Sequence, residues 1–136
     1  MGYYSDVAIV MREKDYNQMI RRAKALKNSN VMDLIESAKC YKDGYNRKRR
    51  ILKWESVKWY EEYSEVRWIC KFIENIDCIF IRIGEDLEDT VYDMFGDPYS
   101  YDLYDSAHIE RSIGLEDVVE LKGPEERYSR IFKGAD

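Results

Sequence analysis

The chain has 136 residues, the size of one domain, and is long enough to bury a real core without disulfide staples. Apolar residues make up 45% and aromatics 14%, which excludes a disordered chain even though 36% of residues are charged. The net charge of -5 conceals a polarised chain: residues 12–58 carry fourteen Lys and Arg against six acids, and residues 74–120 carry fourteen acids against two Arg.

Residues 7–11 form a short apolar run with β-branched members and predict a buried strand. Residues 13–27 follow with Tyr16, Met19, Ile20, Ala23 and Leu26 at helical spacing. Asn28, Ser29 and Asn30 break that pattern, and Asn30 is the expected cap of a second helix carrying Val31, Leu34, Ile35 and Ala38. Asp43-Gly44 signals a turn, and residues 50–59 read as the return strand of a long-looped hairpin. Ser64 is the expected cap of a third helix over 65–75, with an apolar stripe of Val66, Ile69, Cys70, Ile73 and Ile76. Cys78–Ile83 alternates isoleucines with other residues and ends at Gly84, the clearest strand in the chain.

Beyond Gly84 the chain is acidic and tyrosine-rich, broken at Gly96-Asp97-Pro98. Residues 109–115 predict one strand, and Val118, Val119 and Leu121 a further one. After Gly123-Pro124 the tail is polar apart from Tyr128, Ile131 and Phe132. The order strand, helix, helix, hairpin, helix, strand predicts an α+β fold. Helices cover one face of an antiparallel sheet, as a ferredoxin-like β-α-(α)-β-β-α-β core with an acidic C-terminal extension. Residues 1–136 read as a single domain, with 84–106 as an acidic, tyrosine-rich insertion.

Two charged segments are candidate binding sites. Glu85, Asp86, Glu88, Asp89, Asp93, Asp97, Asp102 and Asp105 supply eight carboxylates with no Lys or Arg among residues 85–105. Tyr92, Tyr99, Tyr101 and Tyr104 are interleaved with them. Carboxylates at that density can imitate a phosphate backbone and attract the basic groove of a nucleic-acid-binding protein, and tyrosines add rigid contact area. The bland alternative is a solvated acidic loop. The second candidate is the cluster Arg47, Lys48, Arg49 and Arg50, which would contact nucleic-acid phosphates, with Tyr41, Tyr45 and Trp54 available for base stacking. Its bland alternative is a solvated hairpin loop. The aromatic group Trp54, Trp59, Tyr60, Tyr63 and Trp68 is part core, and the turn from Trp59 to Tyr63 is expected at the surface, suited to a partner or a homodimer.

Catalytic patterns are lacking. One histidine, His108, has no partner that spacing identifies, and neither G-x-S-x-G nor H-E-x-x-H occurs. GxGxxG and GxxxxGK[ST] are missing as well, although a sponge for a small nucleotide signal stays a third reading. Cys40, Cys70 and Cys78 are odd in number and lack CxxC spacing, so they are expected as free thiols in a reducing compartment, with no zinc site. EF-hand spacing is absent, and neither cofactor nor metal is expected. No stretch approaches the roughly 20 apolar residues of a membrane span, and no signal-peptide pattern opens the chain.

Three segments carry a family resemblance: residues 1–8 (MGYYSDVA), residues 59–66 (WYEEYSEV) and residues 80–86 (FIRIGED). They resemble a family of small uncharacterised phage and prophage proteins, over roughly residues 1–90. The resemblance implies a bacterial host cytoplasm and a viral accessory role, and it carries over no catalytic residue. The expectation is a non-enzymatic protein that binds a host macromolecule, an anti-defence (anti-CRISPR or anti-restriction) inhibitor, through its acidic face. Nucleic-acid binding through residues 47–50 is the alternative.

Overall fold

In a computed structural model describing residues 2–44, 48–86, 88–98, 103, 107–109 and 112–132, the first apolar run becomes the centre of the sheet. β1 (Ser5–Arg12) pairs antiparallel with β3 (Arg49–Val57) on one side and β4 (Cys78–Ile83) on the other. A strand with neighbours on both sides and layers on both faces can be apolar at every position, and Val7, Ala8, Ile9, Val10 and Met11 are all 0% exposed. With β2 (Lys39–Asp43), β5 (Thr90–Phe95) and β8 (Val118–Leu121), the order across the sheet is β5-β4-β1-β3-β2-β8, antiparallel throughout.

The alternation of side chains along β1 divides the interior in two. Val7, Ile9 and Met11 face a layer of helices: α1 (Glu13–Lys24), α2 (Asn30–Ser37), α3 (Ser64–Ile73) and α4 (Gly123–Phe132). Each helix contributes a narrow apolar stripe, such as Tyr16, Met19 and Ile20 from α1 and Val66, Ile69 and Ile73 from α3. Ala8 and Val10 point the other way, with Ile51, Ile79 and Ile81, against Leu103 and a small hairpin of β6 (Ala107–Ile109) and β7 (Ile113–Leu115). The carbonyls at the end of α2 are closed by donors from elsewhere. Trp54 Nε1 donates to Leu34 O at 2.8 Å, and the Arg127 guanidinium of α4 donates to Ile35 O and Ala38 O at 3.0 and 3.1 Å.

Several expectations need correction. Residues 109–115 are not one strand: the chain reverses between β6 and β7, pairing His108 with Gly114. The polar tail holds α4, whose Tyr128 and Ile131 are enough to seat it on the helical layer. Helix α1 ends at Lys24, three residues early. Tyr63 and Ser29, not Ser64 and Asn30, precede the first turns of α3 and α2, and the Asn28 side chain accepts the Asn30 N–H instead. Trp59 is buried at 9% exposure, although the turn around it was expected at the surface. The cause lies in β3, where two residues, Glu55 and Ser56, stand opposite Asp6 between the Ser5–Val57 and Val7–Trp54 pairs. Ser56 takes φ 55° and donates its N–H to Asp6 Oδ1 at 3.0 Å. Such a bulge bends the strand. The chain beyond it brings Trp59 back onto Trp54, ring centres 5.1 Å apart.

Candidate binding face

The acidic segment contributes a sixth strand to the sheet. β5 pairs with β4 from Thr90–Ile83 to Phe95–Cys78 without a register shift, and it forms one edge. Both of its ends are fastened by carboxylates. At the start, Arg82 donates to both oxygens of Asp89, Nη2 to Oδ1 at 2.6 Å and Nη1 to Oδ2 at 3.0 Å. The Tyr3 hydroxyl donates to Asp89 Oδ2 at 2.6 Å. This clamp lies directly over Gly84, where a Cβ would collide with the Tyr3 hydroxyl and the Asp89 carboxylate. The Arg82 guanidinium, and after it the Tyr3 hydroxyl, hold the Asp89 carboxyl down to about 2. At the far end the chain turns at Gly96 with φ +66°, and Asp97 donates its N–H to Asp77 Oδ1 at 2.7 Å. A Cβ on Gly96 would strike the Asp77 carboxylate.

Between these fastenings the strand sorts its side chains. Val91, Asp93 and Phe95 share a face with Phe80 and Arg82, while Tyr92 and Met94 point to the other face and are 40% and 37% exposed. The first face overlooks a cleft of about 540 Å³ between β5 and α3. Its floor is aromatic: Trp59 meets Phe80 at 6.0 Å between centres, with Tyr3, Tyr60 and Phe95 around them. Its walls carry Glu61, Glu62, Glu74, Asp89 and Asp93, five carboxylates against the single guanidinium of Arg82, which Asp89 already engages. Aromatic faces and carboxylates both favour cations, so the cleft suits a Lys or Arg side chain and repels phosphate.

The expected acidic residues therefore separate by role. Asp89 is engaged by Arg82 and Tyr3 within the fold, and Glu85 Oε1 accepts the Tyr4 N–H at 2.8 Å. Asp86, Glu88, Asp93, Asp97 and Tyr92 are exposed. Tyr99, Tyr101, Asp102, Tyr104 and Asp105 lie outside the described residues. Glu61, Glu62 and Glu74 join the site although no sequence pattern singles them out as site residues. Glu61 and Glu62 lie within the Trp59–Tyr63 turn, whose composition suits a partner surface, but nothing local in the sequence shows that α3 and β5 flank one cleft.

The basic cluster is arranged differently. Arg49 is 2% exposed, its Nε 3.6 Å from Asp43 Oδ2 across the β2–β3 hairpin. Arg50 Nη2 meets Glu13 Oε2 at 2.7 Å. Lys48 is exposed, and Arg47 lies outside the described residues. Two of the four cations proposed for phosphate contact are thus turned inward onto carboxylates. Tyr41 is half-buried and Trp54 is core, while Tyr45 is outside the described residues.

Burial raises the thiols of Cys40, Cys70 and Cys78, the last to about 12, which keeps them protonated near neutral pH. His108 Nδ1 lies 3.1 Å from Glu116 Oε1 at the solvent side of the β6–β7 hairpin. Among the described residues no group of three or more His, Cys, Asp and Glu converges as a metal site, and no helix is long and apolar enough to cross a membrane. Compared with family models, curated proteins and solved structures, the chain matches none.

Proposed function

We propose that this protein is a non-enzymatic binding protein that engages a basic partner protein through the face built from β5 and the cleft beneath it. The observation that carries this reading is the pairing of an acidic, aromatic-lined cleft with an edge strand fastened at both ends. A strand fastened at both ends loses little backbone freedom on binding, which favours affinity. A partner rich in Lys and Arg is what a nucleic-acid-binding protein offers on its working surface. The phage and prophage resemblance extends the proposal to an anti-defence inhibitor acting on a bacterial host component. The inward-facing Arg49 and Arg50 weigh against nucleic acid as the ligand of the basic cluster, and the carboxylates of the cleft weigh against a nucleotide signal there.

We also read the four central strands and their crossover helices as a ferredoxin-like core. The order β4-β1-β3-β2 with antiparallel neighbours supports it, with β5 and β8 as added edges.

The test of function is capture from nuclease-treated bacterial lysate, read by mass spectrometry. A basic protein should be retained by the unaltered chain and lost from the double variant Glu88→Lys, Asp93→Lys. A partner that ignores both changes, or retention of nucleic acid alone before nuclease treatment, would overturn the reading.

A further inference from the structure

We propose that the cleft between β5 and α3 is a binding site for a free aliphatic polyamine, a small molecule with two or more ammonium groups spaced along a methylene chain. The inference goes beyond the partner reading: it concerns a small molecule and needs no partner protein, although both use the same carboxylates.

The cleft, at about 540 Å³, falls within the range usual for small-molecule sites. Leu103 and Ala107, which follow β5, pack on the opposite face of the sheet with Ile79 and Ile81, so the described chain leaves the cleft uncovered. Three features of the lining select its ligand.

The first is charge that the fold does not answer. No ion pair or hydrogen bond engages the carboxylates of Glu61, Glu62, Glu74 and Asp93 among the described residues. The one cation of the lining, Arg82, already gives two bonds to Asp89. Burial first, and then the carboxylates of Glu61 and Glu74, push up the Cys70 thiol in the same cleft, so their negative charge is felt inside it.

The second feature is the spacing of that charge. Glu61 and Glu62 stand before α3 and Glu74 stands at its end, and a ten-residue helix is about 15 Å long. Asp93 lines the opposite wall on β5. Among the described residues no three acidic, Cys or His groups converge as a metal site. A point cation reaches one such carboxylate closely and leaves the others distant, whereas charges spaced along a chain can each meet one.

The third feature is the apolar surface of the same cleft. Trp59 and Phe80 form the floor, with Ile73, Val91 and Phe95 beside them. Methylenes pack on such a surface, and ammonium groups are drawn to aromatic faces. A ligand that alternates ammonium groups with methylene chains satisfies all three features at once.

The test is an NMR titration of the full-length, isotopically labelled protein with spermidine, and with butylamine as the singly charged control. Spermidine should bind about tenfold tighter than butylamine or better, and should shift the signals of Tyr60, Val91 and Phe95. Physiological salt should weaken it. Glu61→Gln with Asp93→Asn should weaken it by about tenfold or more while the thermal midpoint holds. Glu36→Gln with Glu125→Gln, which removes the same charge from exposed positions outside the cleft, should leave binding as before. Equal loss in the two double variants would overturn the site in favour of diffuse attraction to an acidic protein. Equal affinity for butylamine, or the same shifts produced by magnesium ion alone, would overturn the polyamine. Failure of spermidine where an oligolysine peptide binds would overturn this inference and leave the partner reading standing. Spermidine binding with no basic protein captured from lysate would support this inference and overturn that reading.

Discussion

The basic and acidic halves of this protein carry similar densities of charge and put them to opposite uses. Arg49 and Arg50 sit on β3, a strand with neighbours on both sides, and each is drawn onto a carboxylate of its own half, Asp43 and Glu13. The acidic segment runs along an edge strand, spends Asp89 on Arg82, and leaves Asp93 and Glu88 outward. What decides whether a charge run is structural or available is therefore its position in the sheet, and residue type alone does not reveal it. The halves meet along the β2–β8 ladder, at Lys53 Nζ, which donates to Ile113 O at 3.1 Å, and where Arg12 Nη2 approaches Asp77 Oδ2 at 3.5 Å. With fourteen acids against two Arg, residues 74–120 carry a net negative charge.

The contrast can be broken most forcefully at Arg49. Arg49→Ala removes the guanidinium that faces buried Asp43 and should cost roughly 3–5 kcal/mol in urea unfolding, whereas Lys48→Ala next to it should stay within about 0.5 kcal/mol. If Arg49→Ala were silent, the basic cluster would not be structural. On the acidic side, Gly96→Ala meets both a left-handed backbone and the Asp77 carboxylate, and should cost roughly 1–3 kcal/mol by thermal denaturation. Asp93→Asn should leave unfolding within about 0.5 kcal/mol yet weaken binding of cationic peptides, separating display from support within one segment.

The Asp89 clamp adds a pH dependence. Its folded value of about 2 lies below its ordinary 3.8, so its contribution is complete above the ordinary value and is lost as pH falls through about 2. Carboxyl titration by NMR should show Asp89 ionised well below pH 3.8, and Asp89→Asn should erase that feature and loosen the start of β5. A change of opposite sign is expected at Ser56, where glycine should relieve the φ of 55° and raise stability by up to about 1 kcal/mol.

Local pattern was enough for elements whose burial it encodes. Cys78–Ile83 matches its expected bounds because its isoleucines alternate and Gly84 ends it, and β1 is legible because a central strand is apolar throughout. β5 was hidden because an edge strand needs little apolar surface, and its Asp93 blends into the surrounding acids. α4 was hidden for a similar reason, since two buried side chains, Tyr128 and Ile131, suffice to dock it. The candidate acidic residues were visible as composition. Their division into clamp and display was not, because Asp89 finds Tyr3 across 86 positions of sequence and Asp43 finds Arg49 only through the hairpin.

The most direct test of the central claim compares two labelled ligands by fluorescence anisotropy on the same purified protein, an oligolysine peptide and a DNA duplex of similar charge, each at low and at physiological salt. The account predicts that the peptide binds, that salt weakens it, that Asp93→Lys abolishes it, and that the duplex does not bind. Salt-sensitive binding of the duplex, lost in Lys48→Glu and indifferent to Asp93→Lys, would contradict it.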